Sequence, residues 1–345
     1  VRLVALPDGP RGTMARLRGD GRFALLESAL PMPRQAEWSY IAGPALATLY
    51  TDETSTRLER SGREIASWAD PFEALAAVAT GQAASVRFEG DCPDGMDFVG
   101  GWVGVLGYDL GRQIERLPEQ ARYDPVLPRQ WWIAVDQVLG LHHPSGQWWQ
   151  ATTRGPAERW PWTRAGRELT WARTLELARG PLPARGHWRA GARRLRTSRA
   201  QFESGVQTIC EAIACGEALQ VNLTRREEAE FTGDAWALYK DLVAAHPAPF
   251  ATYLEGPGFA IASCSPERFL HRRGDHVKAR PIKGTAARGG DEAEDVARRQ
   301  WLATSVKDRA ENLMIVDLMR NDLGRVAEIG SVRVPELFAL EPYAS

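Results

Sequence analysis

The sequence has few of the residues that indicate a disulfide framework, a metal site or a membrane segment. Its four cysteines form no CxxC pair, and its six histidines show no metal-ligand spacing. No signal-like segment and no long apolar run opens the chain, which favours a reducing, cytoplasmic setting without a membrane partner. The formal net charge is −1, so the basic excess typical of nucleic-acid binding is missing. These features are typical of an ordinary soluble globular protein.

The length allows two core-bearing domains among the 345 residues. An Arg-, Gly- and Pro-rich stretch over residues 154–194 predicts a crossing between two parts. We place these parts at residues 1–190 and 195–345. The sequence begins with Val1 and ends at Ser345 without a closing element, so we expect a chain that is truncated at its C-terminus.

Glycine and tryptophan are locally concentrated, and both clusters favour structural roles. Residues 100–111 contain five glycines, but they have neither the GxGxxG order nor the Lys-Ser/Thr ending of a phosphate-binding loop. Close packing of a strand explains these glycines better. Eight of the thirteen tryptophans lie between Trp131 and Trp188. A stacking platform for bases or sugars is the alternative there, but core packing is favoured because aromatic side chains bury a large apolar area.

Capping residues and periodicity predict several helices and strands. The helix after Ser198 has the clearest start, because Gln201 completes a capping box and Gly216 ends the helix. The other predicted elements are helices over 71–78, 291–303 and from Ser305, a hairpin over 131–141 and 147–153, and strands over 220–224 and 259–263.

Residues 278–285 (KARPIKGT) are the strongest candidate for an active site. Side chains alternate along a strand, so Lys283 shares its face with Pro281, Ala279 and Val277 rather than with cationic neighbours. A lysine brought towards an apolar face loses hydration, which favours the neutral, nucleophilic amine. The alternative is a surface lysine whose apolar stem covers the end of the strand.

A carboxylate precedes this lysine across a predicted hairpin. The chain passes through Glu267, turns near residues 274–276 and returns to Lys283. A three-residue loop centred on Asp275 would place Glu267 opposite Lys283, with Cβ atoms about 5 Å apart. A two-residue loop would put the two side chains on opposite faces.

The helix that begins after Ser305 is apolar nearly all round over residues 311–319, which is typical of a buried helix. Glu311 lies on its apolar stripe, where an unpaired carboxylate is costly to bury. We therefore expect a cation beside Glu311, for which an arginine and a metal ion are equally good candidates.

Together these segments resemble the chorismate-utilising enzymes. Eight stretches match motifs of that family in the same order and span most of the chain. At position 283 the sequence further resembles the aminodeoxychorismate synthases of this family, which have lysine there. Anthranilate synthases have alanine at this position. The matching stretches are residues 25–28, 100–112, 220–224, 247–250, 265–269, 280–285, 311–322 and 330–337.

The resemblance implies an α+β fold, an anthranilate-synthase-like two-sheet β sandwich wrapped by helices. It also implies amination of chorismate at C4 to 4-amino-4-deoxychorismate, in the pathway to p-aminobenzoate and folate. Lys283 would be the covalent nucleophile and Glu267 the general acid/base. Gly284 and Thr285 would contact chorismate, and Glu311 would be a ligand of Mg²⁺.

The resemblance further implies a partner and a second pocket. A glutamine amidotransferase subunit would supply the ammonia. Serine is common at position 248 in relatives regulated by tryptophan, so Ala248 argues against feedback inhibition. Leu219 is a second departure, since an aromatic residue is common at that position. The pocket, of the tryptophan-binding type, would be lined by Ser28, Trp38, Pro249, Phe250 and Ala251.

Two other functions stay open at this point. Anthranilate or isochorismate synthase activity is the first, and Lys283 argues against it. The second is a non-catalytic subunit or fragment that binds chorismate or tryptophan. The family continues well past Ser345 with further magnesium and substrate ligands, so we expect residues 1–345 alone to be inactive.

Overall fold

A computed structural model describes most of the chain. Residues 154–169, part of the predicted crossing, lie outside the described residues. No helix in the described part is long and apolar enough to cross a membrane. The described residues are 1–20, 22–52, 55–80, 93–118, 127–153 and 170–343.

Helices begin and end where their capping residues predict. The Ser198 hydroxyl accepts a hydrogen bond from the Gln201 amide at 3.2 Å, and the Gln201 side chain accepts one from the Ser198 amide at 2.9 Å. These two bonds confirm the capping box. Gly216 follows this helix with φ +75°, a conformation that favours glycine. The helices are α1 (Pro10–Leu17), α2 (Pro71–Thr80), α3 (Trp171–Arg179), α4 (Arg199–Ala214), α5 (Ala235–Ala245), α6 (Glu292–Thr304) and α7 (Val306–Gly324).

Strands occupy most of the remaining regular structure. They include the predicted strand over 259–263. The strands are β1 (Arg2–Val4), β2 (Ala24–Glu27), β3 (Trp38–Ala42), β4 (Ala47–Thr51), β5 (Thr56–Arg60), β6 (Arg63–Trp68), β7 (Gly101–Leu106), β8 (Gln130–Val135), β9 (Gln137–His142), β10 (Gln147–Thr152), β11 (Trp188–Ala190), β12 (Arg194–Leu195), β13 (Glu227–Glu228), β14 (Phe231–Gly233), β15 (Phe250–Gly256), β16 (Phe259–Ser265), β17 (His271–Arg273) and β18 (His276–Lys278).

The two main sheets built from these strands are antiparallel. The larger has the order β1-β10-β9-β3-β2-β15-β16, and the smaller has the order β6-β5-β4-β8-β7. Strand β15 comes from the second half of the chain and pairs with β2 from the first, with Ala251 opposite Glu27. Two distant parts of the chain are therefore joined in one sheet.

The chain passes from one sheet to the other at Asp136. The segment predicted as one strand over 131–141 is divided there, since β8 belongs to the smaller sheet and β9 forms the predicted hairpin with β10 in the larger. Asp136 is fully buried, and its carbonyl accepts a hydrogen bond from the Thr153 amide at 2.9 Å. The prediction of a single strand is wrong because the apolar pattern continues through the corner.

The two sheets share a hydrophobic core. It combines Trp38 and Leu254 from the larger sheet with Trp131 and Ile133 from the smaller. Trp131 is 2% exposed, so tryptophans of the concentrated region pack the core, as expected. A side chain at Gly104 in β7 would collide with the Trp131 carbonyl and the Trp132 ring, which confirms close packing for the glycine-rich segment. The architecture is the expected α+β sandwich.

Contacts divide the chain into two compact units, Val1–Pro183 with Tyr239–Ser345, and Ala184–Leu238. The division into residues 1–190 and 195–345 stays a prediction. The second unit contains α4 and two small sheets, β11 with β14 and β12 with β13. The strand predicted over 220–224 is not formed. The pattern is present, but a strand needs a partner, and the described residues provide none for this segment.

Helix α7 is less buried than its sequence predicts. Leu313 and Leu318 are 51% and 43% exposed, and no described residue of the helix is fully buried. The prediction of a buried helix is wrong for this structure. An apolar pattern shows which side chains avoid water, but it does not show how many elements of the described chain surround them.

Candidate active site

The hairpin that leads to Lys283 has a two-residue turn. Arg273 pairs with His276 and His271 with Lys278, so Gly274 and Asp275 alone form the loop. The three-residue loop is therefore wrong. The pairing ends at His271 and Lys278, and the residues that follow are irregular rather than strand. Strand alternation consequently does not determine which way the later side chains point.

Glu267 and Lys283 nevertheless each hydrogen-bond the main chain of Ile282, although Glu267, unlike Lys283, does not line the cavity described below. The Glu267 carboxylate accepts a hydrogen bond from the Ile282 amide at 3.1 Å. The Lys283 ammonium donates to the Ile282 carbonyl at 3.1 Å. Glu267 is exposed and Lys283 is half-buried. Carboxylate and amine are therefore both held at the main chain of Ile282.

Gly284 fits tightly against the start of α7. It has φ +76°, and a Cβ added to it would lie 2.8 Å from the Asp308 Cβ. Asp308 belongs to the cap of α7, because its amide donates to the Ser305 hydroxyl at 3.3 Å and its carboxylate lies 2.5 Å from that hydroxyl. The conformation and the close approach both require glycine. They fix the position of the chain directly after Lys283.

A cavity of about 350 Å³ opens beside Lys283, Gly284 and Thr285. Its walls come from residues 279–286 and 288, the end of α6, one face of α7 and most of the segment 332–343. This volume is in the range that binds small organic ligands. Cationic side chains outnumber acidic ones along its walls, which favours an anionic ligand. The cations are Arg280, Lys283, Arg288, Arg309, Arg320 and Arg333, and the acids are Asp308, Glu336 and Glu341.

Several of these cations already have partners. Arg288 is paired with Asp295, and the Arg309 guanidinium lies 4.6 Å from the centre of the Phe338 ring. Arg309 and Glu341 were not predicted from the sequence as site residues. Arg309 reaches the cavity from α7, whereas Glu341 reaches it through the return of the segment 332–343, for which no local pattern gives a signal.

Glu311 does not line this cavity. It is half-buried on α7, and its expected cation partner is not found among the described residues. In the same part of the chain, no group of three or more His, Cys, Asp or Glu side chains is arranged to hold a metal ion. The described residues therefore offer a single carboxylate here, which is not a complete metal site.

The residues expected to form a tryptophan-type pocket lie at one end of the larger sheet. The Ser28 hydroxyl donates to the Trp38 carbonyl at 2.7 Å, and Ala251 lies on the neighbouring strand β15. The Trp38 ring is buried in the core, while the Phe250 ring lies 5.1 Å below the Arg268 guanidinium. A ligand in this region stays a prediction.

A buried carboxylate next to Ser28 was not identified from the sequence. Glu27 is 4% exposed and accepts hydrogen bonds from Arg11 Nε at 2.8 Å and from the Tyr239 hydroxyl at 2.7 Å. Burial, together with the Glu27 charge, raises the pKa of Tyr239 far above its ordinary value, so its hydroxyl stays a donor. This pair attaches α5 to β2.

The chain belongs to the family of chorismate binding enzymes, whose model matches residues 28–345. It is 36% identical to aminodeoxychorismate synthase component 1 of Klebsiella aerogenes, covering 98% of this chain and 71% of that protein. It is 34% identical to the protein of the same name in Escherichia coli, covering 92% of this chain and 67% of that protein. The chain thus spans about two thirds of these two relatives.

A solved structure confirms the fold. The chain is similar to anthranilate synthase component I from Streptococcus pneumoniae, with a TM-score of 0.60 and 22% identity over 85% of this chain and 62% of that one. At this identity the likeness concerns the fold alone. The anthranilate-synthase-like sandwich inferred from the motifs is therefore established.

Proposed function

We propose that this chain acts as component I of an aminodeoxychorismate synthase and aminates chorismate at C4. The observation that carries the proposal is the placement of Lys283 at the wall of a cationic cavity, with Glu267 held at the adjacent Ile282 main chain. The names of the relatives support the same reaction.

Lys283 is the proposed nucleophile. Its amine adds to C2 of chorismate, both ring double bonds shift towards C4, and the C4 hydroxyl leaves as water. Ammonia then adds at C4, both double bonds shift back, and the Lys283 amine is expelled. The sum is chorismate and ammonia giving 4-amino-4-deoxychorismate and water, without oxidation or reduction. Covalent catalysis of this kind divides one difficult displacement into two easier steps.

Glu267 is the proposed general acid and base. In its acid form it gives a proton to the departing C4 hydroxyl, and in its carboxylate form it accepts one from the incoming ammonia. Its hydrogen bond to the Ile282 amide holds it near the lysine in the absence of substrate. The exposure of Glu267 leaves its second oxygen available for the substrate.

The walls of the cavity supply binding and orientation. Chorismate carries two carboxylates, and the excess of cationic side chains around the cavity suits a dianion. Gly284 and Thr285 are the proposed contacts to the ring, because both line the cavity directly after the nucleophile. A larger residue at 284 would collide with Asp308, so this position requires glycine.

Magnesium is the proposed cofactor, with Glu311 as one ligand. Mg²⁺ is commonly held by one or two protein carboxylates together with water and substrate oxygens. Its role would be to neutralise a substrate carboxylate. The single carboxylate at this position, without a cluster among the described residues, means that other ligands are required.

The proposed source of ammonia is a glutamine amidotransferase subunit. The relatives are named component 1, which implies a second component. The proposed compartment is the cytoplasm. Three cysteines, Cys210, Cys215 and Cys264, are free thiols in the structure, as is usual in a reducing environment.

Substitution of the lysine tests this proposal. In the full-length protein, supplied with ammonium and Mg²⁺, Lys283→Ala is expected to abolish 4-amino-4-deoxychorismate formation and to shift residual activity towards a C2-substituted product. Lys283→Arg should be worse, because the guanidinium stays protonated and is larger. Lys278→Ala, which removes the exposed lysine of β18, is the control. A Lys283→Ala protein that makes the C4 product at the parent rate would contradict the proposal.

A further inference from the structure

Glu267 lies in a short segment that is restrained by contacts of Ser265 and Arg268. The Ser265 hydroxyl accepts a hydrogen bond from the Glu267 amide at 3.4 Å and donates to the Glu267 carbonyl at 3.2 Å. The Arg268 guanidinium donates to the Gln35 carbonyl and stacks over the Phe250 ring. These contacts restrain the main chain of Glu267 and the side chain of its neighbour Arg268.

A tyrosine from the far end of the described chain makes another contact with this segment. The single proton of the Tyr343 hydroxyl is shared between two acceptors, Glu341 Oε2 at 2.5 Å and the Pro266 carbonyl at 3.3 Å. Pro266 is the residue directly before Glu267. Tyr343 therefore contacts the residue that is bonded to the proposed acid/base.

Glu341 also forms hydrogen bonds with the segment that leads to Lys283. Arg280 donates to Glu341 Oε1 from Nη2 at 2.5 Å and from Nε at 3.2 Å. Glu341 thus joins Tyr343, which touches the Glu267 segment, to Arg280, which lies three residues before Lys283. Both proposed catalytic groups are connected to one carboxylate.

The protonation states of this cluster suit a fixed connection. Burial alone would raise the pKa of Glu341, but hydrogen bonds from Tyr343 and Arg280 outweigh it and hold that pKa below its ordinary value. Burial and the neighbouring carboxylate raise the pKa of Tyr343. Near neutral pH the glutamate is therefore an acceptor and the tyrosine a donor.

We propose that Tyr343 and Glu341 are positioning residues that hold Glu267 in place beside Lys283 through Pro266 and Arg280. Neither residue needs to touch the substrate for this role. The inference rests on the proposed function, since positioning matters for catalysis only if Glu267 transfers a proton. Misplacement of a catalytic group by about 1 Å can cost up to about 100-fold in rate. Loosening of the clamp, by which we mean Tyr343 and Glu341 with their contacts to Pro266 and Arg280, should therefore give a measurable loss of rate.

A double-substitution cycle tests the catalytic part. Tyr343→Phe is expected to lower kcat by about 10-fold or more with little change in the KM for chorismate. Glu267→Gln should lower kcat by about 100-fold or more. If Tyr343 acts through Glu267, the double variant should be no slower than Glu267→Gln alone. Glu341→Gln also releases Arg280 and should lower kcat at least as much as Tyr343→Phe.

A matched control is available in the smaller sheet. The Tyr50 hydroxyl donates to Glu59 at 2.7 Å, so Tyr50→Phe removes a hydrogen bond of the same kind. Neither Tyr50 nor Glu59 lines the cavity. It should leave kcat and KM unchanged. Parent-like kcat in Tyr343→Phe, or rate losses that multiply in the double variant, would overturn the positioning role.

Amide hydrogen exchange separates this inference from the proposed function. Tyr343→Phe should speed exchange at Glu267 and Arg268, whereas Tyr50→Phe should not. If the parent protein makes no 4-amino-4-deoxychorismate, the proposed function fails, yet faster exchange would still show the clamp. Equal exchange in the two variants would remove the clamp, whatever the reaction.

Discussion

The close approach of Gly284 to α7 predicts a specific loss of stability on substitution by alanine. Gly284 has φ +76°, where a Cβ costs about 1–2 kcal/mol. The new Cβ would also lie 2.8 Å from the Asp308 Cβ, so Asp308 must move. That movement disturbs the cap made with Ser305, which is worth about 1 kcal/mol. The expected total is about 2–3 kcal/mol.

Gly258 provides a control with the same backbone conformation. It has φ +77°, and nothing lies within 4 Å of an added Cβ. Gly258→Ala should therefore show the conformational cost alone, about 1–2 kcal/mol. Urea unfolding followed by tryptophan fluorescence should find Gly284→Ala less stable than Gly258→Ala by about 1 kcal/mol. Equal stabilities would show that Asp308 accommodates the methyl group and would refute the packing argument.

Three further predictions concern charged groups. Tyr239→Phe removes a hydrogen bond to buried Glu27 and should lower the free energy of unfolding by about 1–3 kcal/mol, more than Tyr50→Phe, as measured by urea unfolding. The folded-state pKa of Glu341 lies below its ordinary 4.5, so its contribution to stability is complete above pH 4.5 and is lost as the pH falls through the folded-state value. Melting curves of the parent and Glu341→Gln should accordingly converge in acid. Glu311→Gln should raise the Mg²⁺ concentration for half-maximal activity by about 10-fold or more, and an unchanged magnesium titration would remove Glu311 as a ligand.

Local sequence signals predicted the elements whose stability is local. The capping box at Ser198 and the cap at Ser305 are formed within one helical turn, so their residues alone determine them. The loop of the β17–β18 hairpin was not determined in this way. Gly274, Asp275 and His276 suit a two-residue and a three-residue turn, and the structure has the two-residue one.

Features that depend on distant parts of the chain escaped prediction for the same physical reason. The corner at Asp136 exists because its two flanking strands find partners in different sheets. The Glu341 and Tyr343 cluster forms only because a segment about sixty residues after Arg280 returns to it. For the candidate site, motif resemblance identified the chemistry, whereas the supporting contacts required the structure.

The most direct test of the proposed mechanism is to trap its covalent intermediate on Lys283. The full-length protein would be incubated with chorismate and Mg²⁺ in the absence of ammonia and of any amidotransferase, then digested and mapped by mass spectrometry. The account predicts chorismate minus water attached to the peptide that contains Lys283, and no adduct in Lys283→Ala. An unmodified Lys283 in a preparation that forms 4-amino-4-deoxychorismate once ammonia is added would contradict it.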